Sequence, residues 1–145
     1  AQCDCIRCRE PRRDTSGIED AKLYIDEYSA SDGTEYFISY ENEDRTKLFG
    51  FVRLRLQDRD SHWYEELQDC AIIHELHVYG QLIPLSQKSR AVQHKGFGRK
   101  LMAEAEKIAK DNNSTKIAVI AGVGVRKYYE KLGYELAEEY MIKEL

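Results

Sequence analysis

The chain has 145 residues, 33% of them charged, and a formal net charge of −4. That length fits one domain burying roughly two-thirds of its unfolded surface, and the acidic balance excludes a global basic field for nucleic acid, so any such binding must come from a local patch. No apolar run reaches the roughly 18 residues of a membrane span and no signal peptide with an apolar centre opens the chain; a soluble, cytoplasmic protein without a membrane partner is expected, and the start at Ala1 reads as a piece of something longer.

Cys3, Cys5 and Cys8 form C-x-C-x-x-C. Three reduced thiols so close fit a metal, zinc first, better than disulfides, and the fourth ligand would be Cys70, a histidine or a residue elsewhere. The alternative is a frayed terminus with unligated thiols. Arg7, Arg9, Arg12 and Arg13 follow as a basic cluster, either a solvated linker or phosphate contacts with nucleic acid. Residues 1–17 are read as a linker segment and 18–145 as the domain.

Extended segments are expected at about residues 21–28, 35–40 and 47–56, joined by Ser31-Asp32-Gly33 and Asn42-Glu43-Asp44 as two hairpins. Val52, Leu54 and Leu56 alternate with Arg53 and Arg55, which predicts a sheet with one wet face. The polar stretch 57–66, with Trp63-Tyr64, reads as a loop. A central strand follows over 70–79, with Ile72, His74, Leu76 and Val78 expected on one side and Ile73, Glu75, His77 and Tyr79 on the other.

After a loop with Pro84, and with Lys88 and Arg90 as further phosphate candidates, comes Gln93-His94-Lys95-Gly96-Phe97-Gly98-Arg99. This is the most informative stretch. Gly96 and Gly98 allow positive φ and close backbone approach, and N–H groups at the start of the next helix attract anions, so a pyrophosphate cradle is predicted; an ordinary tight turn is the plainer reading. An amphipathic helix of about 14 residues ends near Asp111-Asn112-Asn113. A buried strand over 116–121 then implies a right-handed parallel crossover. Gly122-Val123-Gly124 leads into a short helix over about 125–132, with Gly133 as its C-cap, and one or two last strands fill 134–144. Neither the dinucleotide fingerprint nor the P-loop spacing is present.

Leu76-His77-Val78, a loop, Gln93-x-x-Gly96-x-Gly98 and a helix resemble the acetyl-CoA signature of the GCN5-related N-acetyltransferase superfamily. The resemblance implies an α/β fold with a mixed sheet of about six or seven strands and helices on both faces. It also implies acetyl-CoA contacts from Leu76, His77, Val78, Gln93, His94, Lys95, Gly96, Phe97, Gly98, Arg99, Gly122, Tyr128 and Tyr129. Tyr128-Tyr129-Glu130-Lys131-Leu132-Gly133-Tyr134 resembles the superfamily segment whose tyrosine protonates the departing CoA thiolate. A phenol is a donor at neutral pH, and neighbours about 100° apart on a helix cannot both face the sulfur; the resemblance implies that Tyr129 acts, with Tyr128 as the alternative, and the plainer reading is that both tyrosines pack the helix. Glu75 lies where the superfamily often keeps a carboxylate base. Partial burial would raise its pKa, and a structural ion pair is the alternative reading.

His74-Glu75-Leu76-His77-Val78-Tyr79-Gly80, the Gln93–Gly98 stretch, Ala103-Glu104-Ala105-Glu106-Lys107-Ile108-Ala109, the 122–129 segment, Gly133-Tyr134-Glu135-Leu136 and Tyr140-Met141 together resemble the C-terminal acetyltransferase domain of the Elongator catalytic-subunit family. His74 and Ala121 stand where that family suggests Arg and Ser. The resemblance implies a partner radical-SAM domain with S-adenosylmethionine and a 4Fe–4S cluster, acetyl-CoA-dependent carboxymethylation of the tRNA wobble uridine, and other Elongator-type subunits as partners. Cys3, Cys5 and Cys8 are not that cluster's site. Two other functions remain open: a protein, histone-lysine or small-amine acetyltransferase, and a non-catalytic acyl-CoA-binding module.

Overall fold

The computed structural model describes residues 5–10, 17–57, 69–79, 96–137 and 140–145. Cys3, Arg12, Arg13, Trp63, Tyr64, Pro84, Lys88, Arg90, Gln93, His94 and Lys95 lie outside them. Seven strands, β1 Lys22–Ala30, β2 Gly33–Glu41, β3 Leu48–Gln57, β4 Cys70–Val78, β5 Lys116–Ile120, β6 Glu135–Ala137 and β7 Tyr140–Glu144, form one sheet in the order β1-β2-β3-β4-β5-β7-β6. The helices are a single turn α1 Ile6–Arg9, the long α2 Phe97–Asp111 and the short α3 Arg126–Lys131.

β1 to β4 pair antiparallel in chain order. The first turn needs a left-handed residue, which Asp32 supplies at φ 60°. At Gly33 a Cβ would stand 2.5 Å from the Leu56 carbonyl oxygen, so the crossing of β2 and β3 leaves room only for glycine. The crossover from β4 through α2 to β5 gives the one parallel pairing among the described strands, Cys70↔Lys116 to Ile73↔Val119.

α2 lays Leu101, Met102, Ala105 and Ala109 on one face of the sheet, against Ile38, Val52, Leu54, Ala71, Ile73, Ile117 and Val119. This stripe, at helical spacing, is the main core. Tyr129 of α3 joins it, so α2 and α3 share that face. On the opposite face Ile6 of α1 packs against Phe37, Leu48, Phe51 and Tyr79.

The simple alternation expected along β4 does not hold. Pairing with β3 steps from Arg53↔Glu75 to Leu54↔Ile73, which leaves His74 as an extra residue in a β-bulge. Ala71 and Ile73 therefore share the α2 face with Leu76 and Val78. Cys70 and Ile72 pack on the other side, the side that Tyr79 also takes. A single inserted residue has reversed the facing of everything after it.

Candidate active site

The bulge coincides with a parting of strands. β4 and β5 are paired only as far as Ile73↔Val119, and residues 74–78 of β4 continue without a β5 partner. This opening lies at the carboxyl ends of a parallel pair, where α/β sheets receive ligands. α2 starts on the same side. Its N-cap, Gly96, has no side chain to cap the helix, and the N-terminus of a 15-residue helix carries the positive end of its dipole.

The glycines of the cradle act through space rather than through unusual backbone. Gly96 has φ −80° and ψ 0°, Gly98 lies within α2, and the positive-φ glycines among the described residues are Gly17 and Gly133. The positive φ that glycine allows is thus not used at Gly96 or Gly98. A helix can begin directly at this turn without it. A Cβ on Gly98 would instead stand 2.4 Å from the Tyr128 hydroxyl oxygen and 3.8 Å from Val78 Cγ2. Tyr128 of α3, the start of α2 and the end of β4 therefore meet at Gly98.

The two neighbouring tyrosines differ sharply. Tyr128 is 40% exposed and Tyr129 is 6% exposed. Tyr129 sits edge-on between Tyr128, with ring centroids 5.3 Å apart, and Tyr134, 5.8 Å away. Burial pushes the Tyr129 phenol up to about 12, with Tyr128 adding to the rise. Burial also raises the Tyr128 phenol, while the charge of Arg99 opposes the shift. Arg126, at the first position of α3, has a buried Nε with no partner among the described residues. A buried guanidinium donor without an acceptor fits an anionic group of a ligand.

The acetyltransferase (GNAT) family matches residues 5–134, nearly the whole of this geometry. The chain belongs to that family. The seven-stranded mixed sheet parted between β4 and β5 is thus a GNAT fold in this chain. It is 44% identical, over 99% of its length, to a tRNA uridine(34) acetyltransferase of Methanocaldococcus jannaschii, of which it covers 28%. It is also 44% identical, over 95% of its length, to Elongator complex protein 3 of Saccharomyces cerevisiae, of which it covers 27%. Among solved structures, the archaeal Methanocaldococcus infernus Elp3 with an N-terminal deletion matches 99% of this chain and 35% of that one, at TM-score 0.81 and 39% identity. The chain thus spans about 28% of the length of the curated relatives it resembles.

The remaining expected site residues of this GNAT chain fall elsewhere on the sheet. Glu75 is half exposed on the face away from α2, with Arg53 Nη1 3.9 Å from its carboxylate. His77 is exposed on that face, its ring 4.3 Å from that of Tyr79 and stacked at 6.1 Å on Phe51. Burial lowers the pKa of His74, the bulge residue, with Arg55 and Arg53 adding to the drop and Glu35 opposing it. Gly122 is exposed, and a Cβ there would meet nothing within 4 Å.

Cys5 and Cys8 are exposed on and beside α1, and no group of three metal-ligating side chains converges among the described residues. Cys70 does not suit the fourth ligand. It is 4% exposed, enclosed by the apolar side chains of Ile72 and Ala118 with Tyr140 packed against them, and burial pushes its thiol up to about 11.

Of the arginine cluster, Arg7 is exposed, whereas Arg9 donates through Nη1 to Glu41 Oε1. Glu41 is fully buried in β2. It also accepts from Ser39 Oγ at 2.5 Å and from Arg45 Nη2 at 2.9 Å, and Arg45 reaches on to Asp26. Sequence reading passed over this network because Ser39 and Glu41 look like solvent-side strand positions. The turn bringing Arg45 and the distant segment bringing Arg9 become visible only in three dimensions.

Proposed function

We propose that this chain is the acetyl-CoA-binding, acyl-transfer domain of an enzyme that modifies the wobble uridine of tRNA. The observation that carries the reading is the meeting of the end of β4, beyond its pairing with β5, the start of α2 and the Tyr128 hydroxyl at Gly98. Each feature matches one chemical part of acetyl-CoA. The pyrophosphate calls for several N–H donors and positive partial charge, which the start of α2 supplies, with exposed Arg99 and Lys100 beside it. The pantetheine arm carries amides that can bond to a strand edge, and residues 74–78 leave theirs open on the β5 side. The orphaned Nε of Arg126 is one more donor for an anionic group.

The thioester end places the chemistry. Whatever accepts the acetyl group, the departing thiolate takes up a proton, and a raised phenol pKa keeps Tyr128 protonated at neutral pH and able to deliver one. Tyr128 is favoured over Tyr129 for this step because its hydroxyl reaches the open site, whereas Tyr129 is enclosed in the core. Glu75, on the other face, would serve the acceptor. In this reading the radical step, with its S-adenosylmethionine and 4Fe–4S cluster, lies with a partner domain. tRNA and other Elongator-type subunits are further partners, and the cytoplasm is the compartment.

Calorimetry with acetyl-CoA, with and without tRNA, tests the assignment, together with CoA-thiol release by the Tyr128→Phe and Tyr129→Phe variants. Acetyl-CoA binding is expected in all of them, with release slowed on the order of 10²-fold in Tyr128→Phe. A loss confined to Tyr129→Phe would exchange the two roles. Release driven equally well by a simple amine, with no response to tRNA, would favour the small-amine acetyltransferase instead.

A further inference from the structure

We propose that Glu106, Lys143 and Tyr134 are positioning residues that hold the Tyr128 hydroxyl at the start of α2; this rests on the role given to Tyr128 above. The three come from different elements. Glu106 lies on α2, Tyr134 just beyond α3, and Lys143 on β7. One carboxylate oxygen, Glu106 Oε1, accepts from the Tyr134 hydroxyl at 3.0 Å and from Lys143 Nζ at 2.9 Å. The same ammonium donates to the Leu132 carbonyl at 2.9 Å, at the C-terminal end of α3, where a cation also suits the helix dipole. It lies 5.6 Å from the Tyr134 ring centre. The Lys143 stem passes Gly133, whose φ of +93° turns the chain out of α3, so close that a Cβ would stand 3.3 Å from Lys143 Cε.

From this junction a ladder of rings leads back to the site. Tyr134 meets Tyr129 at 65° and Tyr129 meets Tyr128 at 78°, edge-on arrangements that fix ring orientation as well as spacing. Tyr128 then ends against Gly98. The path begins and ends on α2, at Glu106 and at Gly98, eight residues or about 12 Å apart along a helix. α3 is thereby fastened to α2 at two points, in addition to the burial of Tyr129 in the core beneath it. Among the described residues the hydroxyl of buried Tyr134 donates to Glu106, and burial raises its phenol pKa well above the ordinary range, so it stays a donor at every working pH.

Such a network could serve only stability, so the test must read coupling to Tyr128. The 145-residue chain is assayed with acetyl-CoA and tRNA as Lys143→Met, Tyr134→Phe, Tyr128→Phe and the double variants pairing each of the first two with Tyr128→Phe. The positioning variants are expected to bind acetyl-CoA within about threefold of the parent by calorimetry while CoA release falls about tenfold or more. In the Tyr128→Phe background the same substitutions should cost less than about twofold further, the non-additivity of groups acting as one unit. Equal losses in both backgrounds, or unchanged release in Lys143→Met and Tyr134→Phe, overturn the proposal.

A second readout does not need catalysis. With 3-fluorotyrosine incorporated, the Tyr128 fluorine resonance, identified by its loss in Tyr128→Phe, should shift or split in both positioning variants. An unmoved resonance overturns the positioning role. If Tyr128→Phe releases CoA normally while that resonance still moves, the acid role of Tyr128 fails and the structural coupling stands.

Discussion

Gly98→Ala offers a direct measure of the contact at the centre of the site. The new Cβ would stand 2.4 Å from the Tyr128 hydroxyl oxygen, and ordinary contact begins at 3.4 Å, so the hydroxyl must retreat by about 1 Å. The next atoms, Tyr128 Cζ at 3.5 Å and Val78 Cγ2 at 3.8 Å, are at normal distances, so the hydroxyl alone is in the way. Alanine is favoured over glycine in a helix by up to about 1 kcal/mol, and forced overpacking costs about 1–3 kcal/mol. The substitution should therefore be neutral to destabilising in the parent, yet stabilising by up to about 1 kcal/mol in a Tyr128→Phe background. Each 1 kcal/mol of that difference corresponds to about 2–4 °C in Tm for a domain of this size. Urea and thermal unfolding of the four chains complete the cycle. A 1 Å displacement of the proton donor should also slow CoA release on the order of 10²-fold. Gly96→Ala is the control, because among the described residues its Cβ would meet only Lys100 Cε, at 3.8 Å. The same stability change from Gly98→Ala in both backgrounds would falsify the contact.

Glu41→Gln should destabilise the fold by about 3–5 kcal/mol, because it leaves Arg9 and Arg45 facing a neutral group in a buried position; a change below about 1 kcal/mol in urea unfolding contradicts the network. The hydrogen bond from Arg45 lowers the pKa of Asp26 below its ordinary value, so its contribution is fully present above the unfolded pKa near 3.9 and is lost as pH falls through the lower folded value. Asp26→Asn should accordingly lose less stability than the parent between pH 5 and pH 2, and parallel acid limbs would refute the assignment. For tRNA, Arg7→Gln should flatten the salt dependence of binding, whereas Arg9→Gln should weaken the fold and leave the slope alone; the reverse pattern would return Arg9 to the binding surface. Glu75→Gln should leave acetyl-CoA affinity within about twofold and change the kinetics toward the acceptor, because its carboxylate lies across the sheet from α2; a large loss of acetyl-CoA affinity counts against that division.

Much of the scaffold was legible in the sequence because the signals are local. The β1–β2 and β2–β3 hairpins follow from alternation broken by turn residues, α2 follows from Leu101, Met102, Ala105 and Ala109 at helical spacing, and Gly133 takes the left-handed φ of a helix C-cap. The bulge at His74 was not legible. A period of two carries no mark for an extra residue until the partner strand is known, and here the mark is the slip from Arg53↔Glu75 to Leu54↔Ile73. The expectation of Tyr129 over Tyr128 rested on the family resemblance, because the residues themselves carry no mark for that choice. Adjacent positions on a six-residue helix present equal aromatic character, and only the sheet beneath α3 decides which ring is enclosed. Gly98 stands out in the sequence as a glycine of the turn before α2, and what the structure sets against it is the hydroxyl of a residue thirty positions later, not a positive φ of its own.

The bulge also has a chemical consequence. Without it, Glu75 and His77 would lie on the α2 face, beside the anion-binding start of that helix, and Leu76 and Val78 would face away. With it, the apolar pair completes the wall beneath α2, while Glu75, His77 and Arg53 turn to the opposite side. On the proposed reading, a carboxylate beside the N–H groups at the start of α2 would repel the pyrophosphate they attract, a conflict of charge that the inserted residue avoids. It also leaves the opening between β4 and β5 as the passage between an anion-binding face and a face bearing ionisable groups. A donor held on one side and an acceptor arriving from the other would then meet where the strands part, at the level of the Tyr128 hydroxyl.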